Sequence, residues 1–285
     1  MPKIQINQAN KHYATGGGSV AGLTVDAHNV VALSDINLAI CANEFVAIVG
    51  ASGCGKSTLL RSIGGLDYLS SGEIRVDAQL ITAPGANRAM VFQNYSLYPW
   101  LTVRENIQFS QGLKSNRESN RDFSHSTEAL ERVDALIDLT GLRLVEDAYP
   151  NQLSGGMQQR VAIARALMNK PDILLMDEPF GALDVQTREV MHDLIRHIFL
   201  QEKPTIVFVT HDVEEAIYLG ERVVLMAPRP GRIDSLYPVP LPAEREQDMK
   251  LTPEFTALKN TILGRIRATS GIETNREMLK KLTQH

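Results

Sequence analysis

Residues Gly50 to Thr58 read GASGCGKST, with the apolar run Phe45 to Val49 directly before them and Leu59, Leu60 and Ile63 directly after. That order is a short strand, a glycine loop and a helix start, and the fixed positions of GxxxxGK[ST] make it a Walker A phosphate loop. The chemistry explains the spelling. A nucleoside triphosphate must be held by many donors at once, and successive loop N–H groups plus a helix N-terminus supply them without side chains in the way. Gly50, Gly53 and Gly55 let the backbone curl toward phosphate oxygens, so the amides of Ala51, Ser52 and Cys54 join the cradle. Lys56 brings a compact positive charge to the β and γ phosphates. The Ser57 hydroxyl is placed as an Mg²⁺ ligand, and Thr58 lies next to the α-phosphate region.

At 285 residues the chain fits one large domain or one domain with appendages, and its 44% hydrophobic content says globular rather than disordered. A net charge of minus four offers no bulk positive surface for nucleic acid. No apolar run reaches the ~18 to 20 residues of a membrane span. The start, MPKIQINQANKHY, lacks a signal-peptide core, so the chain is expected to stay in the cytoplasm. Cys41 and Cys54 have no metal-ligand spacing, which suits a reducing compartment. Cys54 stands near a helix N-terminus, where a thiolate is favoured; the plainer reading is a small residue that fits the loop.

Ile4 and Ile6, then Ile36, Leu38 and Ile40, alternate with polar residues as half-buried strands do. Between them Ala14 to Asn29, with Gly16 to Gly18, reads as a hairpin excursion. Tyr13 ends the first strand, either as an aromatic face for a purine ring or as an ordinary strand-end tyrosine. Glu73 to Val76 and Met90 to Phe92 read as further strands, the second ending at Gln93. From Leu113 to Asp147 the character is helical: Ala129, Leu130, Val133, Leu136, Ile137 and Leu139 recur at helical spacing behind a polar linker, Lys114 to Thr127.

LSGGMQQR, Leu153 to Arg160, enters a helix whose apolar side includes Met157, Val161, Ala164 and Met168. Ser154, Gly155 and Gly156 expose N–H groups at that start, a second anion site; alone, such an entry is only a cap. Ile173 to Glu178, ILLMDE, is an apolar strand delivering Asp177 and Glu178 at its tip, which suits Mg²⁺ and water chemistry, although structural carboxylates at strand ends are common. The turn PFGALD and a helix Val185 to Phe199 follow. Thr205 to Val209 is a β-branched strand ending in Thr210, His211 and Asp212; His211 reads as a γ-phosphate sensor against the alternative of a satisfied polar residue.

In this order and together, the segments resemble the ATP-binding subunits of ABC transporters: Walker A at Gly50 to Thr58, Q-loop Gln93, signature LSGGM at Leu153 to Met157, Walker B at Ile173 to Asp177 with Glu178, D-loop at Gly181 to Asp184, and switch His211. The resemblance covers Ile4 to Ile233. It implies an α/β fold, a RecA-like P-loop NTPase core with an N-terminal antiparallel β subdomain and an inserted α-helical subdomain. The ATPase domain would be 1–242, its helical subdomain about 94–153, with a C-terminal helical extension at 243–285. It also implies head-to-tail pairing with a second ATP-binding subunit, as a homodimer or a paralogous heterodimer. Each ATP lies between the Walker A loop of one subunit and the LSGGM of the other; ATP closes the pair and hydrolysis opens it. Carried over, Glu178 polarises the attacking water, His211 contacts the γ-phosphate, and Lys56 with the loop amides stabilises the transferring phosphoryl charge. Ser57 and Gln93 hold Mg²⁺, with Asp177 acting through water, and Asp184 ties the two sites together.

MAPRPGRI, YPWLTVRENI and THDVEEAIYLGERVV look most like the subfamily serving nitrate, sulfonate, taurine and bicarbonate importers. That likeness implies an integral membrane permease, indirectly an external solute-binding protein, no nucleic acid, and a peripheral place on the cytoplasmic side of the inner membrane. A soluble ABC ATPase acting on DNA or ribosomes is the other class; the single cassette without a coiled-coil insertion favours the importer. Leu97 to Leu101, LYPWL, is a candidate socket for a short helix of the membrane partner, unless Tyr98 and Trp100 pack inside the helical subdomain. Beyond Pro242, Phe255, Leu258, Ile262 and Ile266 return at helical spacing, for packing on the core or for regulation.

Overall fold

The computed structural model describes residues 2–14, 19–20, 23–24, 29–112 and 127–270. Strand β1 (Ile4–Ala14) is followed by the short antiparallel pair β2 (Ser19–Val20) and β3 (Leu23–Thr24), then by β4 (Asn29–Ile40) and β5 (Phe45–Gly50). With β6 (Ser71–Val76) and β7 (Gln79–Leu80), strands β1 and β4 form a four-stranded sheet in the order β4-β1-β6-β7. The alternation anticipated at its start is real: Ile4 faces Ile40 and Ile6 faces Leu38, all buried. Both strands run longer than the alternation suggests, because Gln8 and Asp35 take positive φ at register shifts that bend the ladder without ending it. Part of the excursion between them is the β2–β3 pair; Gly16 to Gly18 lie outside the described residues.

The second sheet has the order β12-β11-β5-β10-β9-β8, where β8 is Arg88–Val91, β9 Ile173–Asp177, β10 Thr205–Val209, β11 Arg222–Ala227 and β12 Arg232–Pro238. All neighbours are parallel except β12, which returns antiparallel along β11. A parallel strand is covered on both faces and therefore reads as an unbroken apolar run. Phe45, Ala47 and Val49 point into one core, shared with Leu174, Met176 and Phe208, while Val46 and Ile48 point into the other, shared with Leu175, Val207 and the N-terminal sheet.

Helix α1 (Lys56–Gly64) continues from the phosphate loop. No helical spacing announces α2 (Val103–Gln108), six residues opened by a capping box in which Thr102 accepts from Glu105 N and Glu105 accepts from Thr102 N. Within the stretch anticipated as helical, Leu113 to Asp147, α3 spans Thr127–Leu139 and a 3₁₀ turn follows at Arg143–Val145. Ala129, Val133, Leu136 and Ile137 are buried, whereas Leu130 and Leu139 are exposed, so the apolar face is narrower than the spacing implied. Most of the polar linker lies outside the described residues.

Helix α4 (Gly155–Leu167) carries the LSGG entry, α5 (Val185–Glu202) follows the PFGALD turn, and α6 (Val213–Leu219) follows His211. Helix α7 (Pro253–Ser270) packs on α6 and β11 through buried Phe255 and Ile262, with Leu258 and Ile266 partly covered. Among the described residues no helix is long and apolar enough to cross a membrane.

Candidate active site

Three neighbouring strands decide where the site is. Val209 of β10 stands level with Asp177 of β9 and with Ile48 of β5, so the phosphate loop, Asp177–Glu178 and Thr210–His211 leave the sheet at one carboxyl edge. Open parallel sheets bind ligands there. A cleft of about 650 Å³ opens at that edge, lined by residues 52–58, by Gln93, Glu178 and His211, and by Val30, Val31, Ala32 and Arg229.

The loop takes its shape where glycine is required. Gly55 has φ 89°, and a Cβ on it would come within 2.7 Å of Leu33 Cδ2 and 2.8 Å of Ala32 O. No side chain caps α1 from Gly55, leaving the amides of its first turn to a ligand. Lys56 is buried and folds back, its Nζ donating to Gly50 O at 2.9 Å and Ala51 O at 3.3 Å. Cys54 is fully buried, and burial pushes its thiol up despite the nearby Lys56 charge. Both features suit the plainer reading of a small residue that fits the loop.

Ser57 Oγ donates to Asp177 Oδ1 at 2.8 Å. Burial holds the Asp177 carboxyl above its ordinary range, opposed by the Ser57 bond and the Arg61 charge. Glu178 sits at φ 47° and donates its N–H to Val209 O at 2.9 Å, which turns its side chain out of the strand line. Its Oε2 accepts from Gln93 Nε2 at 3.3 Å and lies 3.4 Å from His211 Nδ1. One carboxylate thus meets the ends of two separate segments.

Ser154 caps α4 by accepting from Met157 N at 3.3 Å. With Gly155 and Gly156 it stands outside the cleft wall, and these glycines pack closely instead on Tyr95 and on Ala182 O. Asp184 caps α5 by accepting from Thr187 N at 3.0 Å, which lowers its carboxyl below the usual range. Tyr13 is also outside the wall: its hydroxyl donates to Asp67, and the Lys11 ammonium lies 4.8 Å from its ring centroid. Its strand partner Val30 reaches the cleft instead.

Val30, Val31, Ala32 and Arg229 are the lining residues that sequence reasoning missed. The signal for Arg229 was MAPRPGRI, in which Gly231 approaches the loop so closely that a Cβ would lie 2.3 Å from Cys54 O. Gly231 N donates to Ala32 O at 3.2 Å and Ser34 N to Gly231 O at 2.9 Å, which pins the turn bearing Arg229 beside the cleft.

Residues 33–181 match the ABC transporter family model. The nitrate import ATP-binding protein NrtD of Synechocystis sp. is 47% identical over 252 residues, 86% of this chain and 92% of that protein. The aliphatic sulfonates import ATP-binding protein SsuB of Bacillus subtilis is 41% identical, over 85% of this chain and 89% of that protein. The taurine import ATP-binding protein TauB of Roseobacter denitrificans is 43% identical, over 84% and 87%. Among solved structures, the dimeric post-hydrolysis state of the ATP-binding cassette MJ0796 bound to ADP and Pi superposes with a TM-score of 0.68 at 32% identity, covering 83% of this chain and 98% of that one. With the Walker loops, Glu178 and His211 on one sheet edge, these likenesses settle the family: the chain belongs to the ABC transporters, as an ATP-binding and ATP-hydrolysing subunit.

Proposed function

We propose that this subunit energises the import of a small anion, of the nitrate, bicarbonate, sulfonate or taurine class, through an integral membrane permease fed by an external solute-binding protein. The observation that carries the subunit pairing behind it is that residues 52–58 line the cleft and Ser154–Gly156 do not. A second ATP-binding subunit, identical or paralogous, would bring its own Ser154–Gly156 over each ATP. The import ATP-binding relatives favour the substrate class. The chain would then sit peripherally on the cytoplasmic side of the inner membrane.

Glu178 orients the attacking water, His211 contacts the γ-phosphate, and Lys56 leaves its carbonyl partners for the β and γ oxygens. The hydroxyl of Ser57, the amide oxygen of Gln93 and the carboxylate of Asp177 are the oxygen donors Mg²⁺ prefers, and buried Asp177 already meets the Ser57 hydroxyl. Held by these residues beside the triphosphate, the ion would supply charge neutralisation. Tyr13 stacks on the adenine once its phenol leaves Asp67, with Val30 and Val31 completing the apolar wall. The permease docks at Leu97 to Leu101, beside Gln93.

The test is Glu178→Gln. MgATP hydrolysis is expected to fall by roughly 100-fold or more, the scale for losing a catalytic base, while an ATP-bound dimer accumulates on size exclusion. Hydrolysis at the parent rate would remove Glu178 from the mechanism. In vesicles holding the permease and binding protein encoded beside this chain, nitrate, bicarbonate, sulfonate and taurine are compared for stimulated ATPase; stimulation by none of them overturns the substrate class.

A further inference from the structure

We propose that Glu215 is a positioning residue of the ATPase centre, its buried carboxylate joining the turn that carries His211 to the helix that begins after Asp184. Glu215 lies in the first turn of α6 and is 7% exposed. Its Oε2 accepts from Thr210 Oγ1 at 2.7 Å, and the same hydroxyl accepts from Asp212 N at 3.0 Å. Thr210 N is itself fixed to Ile48 O at 3.2 Å. The residues on either side of His211 are therefore held by one hydroxyl, and that hydroxyl is oriented by Glu215.

The other carboxylate oxygen faces α5. Oε1 is 3.5 Å from His192 Nε2 and 3.7 Å from Arg188 Nε. Arg188 donates through Nη2 to Leu183 O at 3.0 Å, inside the GALD turn. His192 is 1% exposed and stands edge-on to Phe180 at 4.8 Å, two residues beyond Glu178. One carboxylate thus touches the supports of His211 on one side and of the Glu178–Asp184 turn on the other. Between them Glu178, His211, Arg188 and Glu215 line one small cavity of about 50 Å³.

A buried carboxylate is a poor packing residue, since well-packed apolar groups commonly serve stability as well or better. What the charge does here is fix a direction. With Glu215 accepting, Thr210 must donate inward, its lone pairs remain for Asp212 N, and His211 is presented at a set angle. The α5 groups approach the same carboxylate at ion-pair distance, so movement of the Leu183–Asp184 turn is felt at His211.

The experiment uses the full chain and four variants: Glu215→Gln, Thr210→Val, Thr210→Ser and, as a control on the ATPase assignment itself, Glu178→Gln. Steady-state kcat and KM for MgATP, equilibrium binding of a fluorescent ATP analogue and thermal midpoints are measured together. For Glu215→Gln and Thr210→Val, kcat is expected to fall roughly 10- to 100-fold, the cost of a slightly misplaced catalytic group, with KM and nucleotide affinity within about threefold of the parent. Thr210→Ser keeps the hydroxyl and is expected to recover most of the rate. Folded Glu215→Gln and Thr210→Val chains with parental kcat overturn the proposal. So does a loss that follows the thermal midpoint and ATP affinity equally in all three, Thr210→Ser included, because that is the mark of packing alone. Should Glu215→Gln fail to fold, the Thr210 pair decides. Parental hydrolysis that survives Glu178→Gln refutes the mechanism assigned to Glu178 and leaves the Glu215 comparison to be read on its own.

Discussion

The Ser57 hydroxyl donates to Asp177 Oδ1 at 2.8 Å, tying the first turn of the phosphate-loop helix to the tip of a strand two places away in the sheet. Asp177 is buried, and burial raises its carboxyl above the ordinary range. The folded chain therefore holds this proton more tightly than the unfolded chain. Ionised Asp177 subtracts from stability once the pH passes its folded value, and the cost vanishes below the unfolded value. Asp177→Asn keeps an acceptor for Ser57 and removes the charge. At neutral pH the nucleotide-free variant is expected to melt a few degrees higher, for a gain of about 1 kcal/mol, while MgATP hydrolysis is lost. The gain should shrink as the pH falls toward the ordinary carboxylate range, because burial makes the folded parent take up this proton before the unfolded chain does. A midpoint shift that does not change with pH would count against buried charge as its origin.

The two cysteines should separate cleanly. Cys41 is exposed, whereas Cys54 is buried beneath the phosphate loop with its thiol pushed up by that burial. Neutral thiols behind packed backbone react only when the structure opens. A maleimide at neutral pH is expected to label Cys41 at least ~100-fold faster than Cys54, with denaturant abolishing the difference. Saturating ATP should leave the Cys41 rate unchanged. Fast labelling of Cys54 that ATP blocks would make it the reactive thiol its place at a helix N-terminus suggests.

Asp177, Glu178 and His211 were legible because each ends an apolar run, and parallel strands in register bring run ends to one edge. The phosphate loop was legible because few residue types let backbone approach a phosphate. Helix α2 left one short signal, Thr102 and Glu105 three apart, but six residues are too few to show a helical period. The exposed Leu130 and Leu139 show the reverse error, since helical spacing marks neighbours on a face without saying how wide the contact is. The surroundings of Tyr13 were beyond reach: its partner Asp67 is 54 residues away, and only the finished fold brings them together.

Tyr98 packs at 4.1 Å on Phe109 with the Arg165 guanidinium 5.3 Å from its ring, and Asn106 donates to the carbonyls of Tyr98, Leu101 and Thr102, so the Leu97 to Leu101 segment is fastened from behind. Trp100 points outward, 67% exposed, beside an exposed Pro99. Of the two readings of LYPWL, Tyr98 follows the packing one, while the exposed Trp100 is left for the socket reading to be tested on. Trp100→Ala is expected to change stability by less than ~0.5 kcal/mol and leave the hydrolysis of the isolated chain intact. Transport and substrate-stimulated ATPase in permease vesicles should drop severalfold or more, since exposed aromatics dominate docking energies. Unaltered transport would move the permease contact elsewhere.

The C-terminal extension grips α6 at both ends, with unequal strength. At the far end Arg245 donates to the carbonyls of Ile217, Tyr218 and Gly220 at 2.8, 2.6 and 2.9 Å, and Arg196 bridges Leu219 O to Ala243 O. Burial pushes the Arg245 guanidinium down to about 10, yet it stays charged at neutral pH and caps the helix there. At the near end Lys259 reaches Glu214 at 2.6 Å, but both side chains are 36% exposed and water competes with the pair. Arg245→Ala strands three carbonyls and is expected to cost ~2 to 4 kcal/mol, lowering the thermal midpoint by roughly 5 to 15 °C. Lys259→Ala should cost no more than ~0.5 kcal/mol. Removing residues 243–285 uncovers α6 and β11 where Phe255 and Ile262 pack, so the truncated chain should be less stable than Arg245→Ala. A truncated chain that kept the parental midpoint and substrate-coupled ATPase would show that the extension neither packs the core nor regulates it. Loss of stability alone would make it a structural strap. Loss of substrate coupling at a parental midpoint would instead give it a regulatory role, exerted on the helix that directly follows His211.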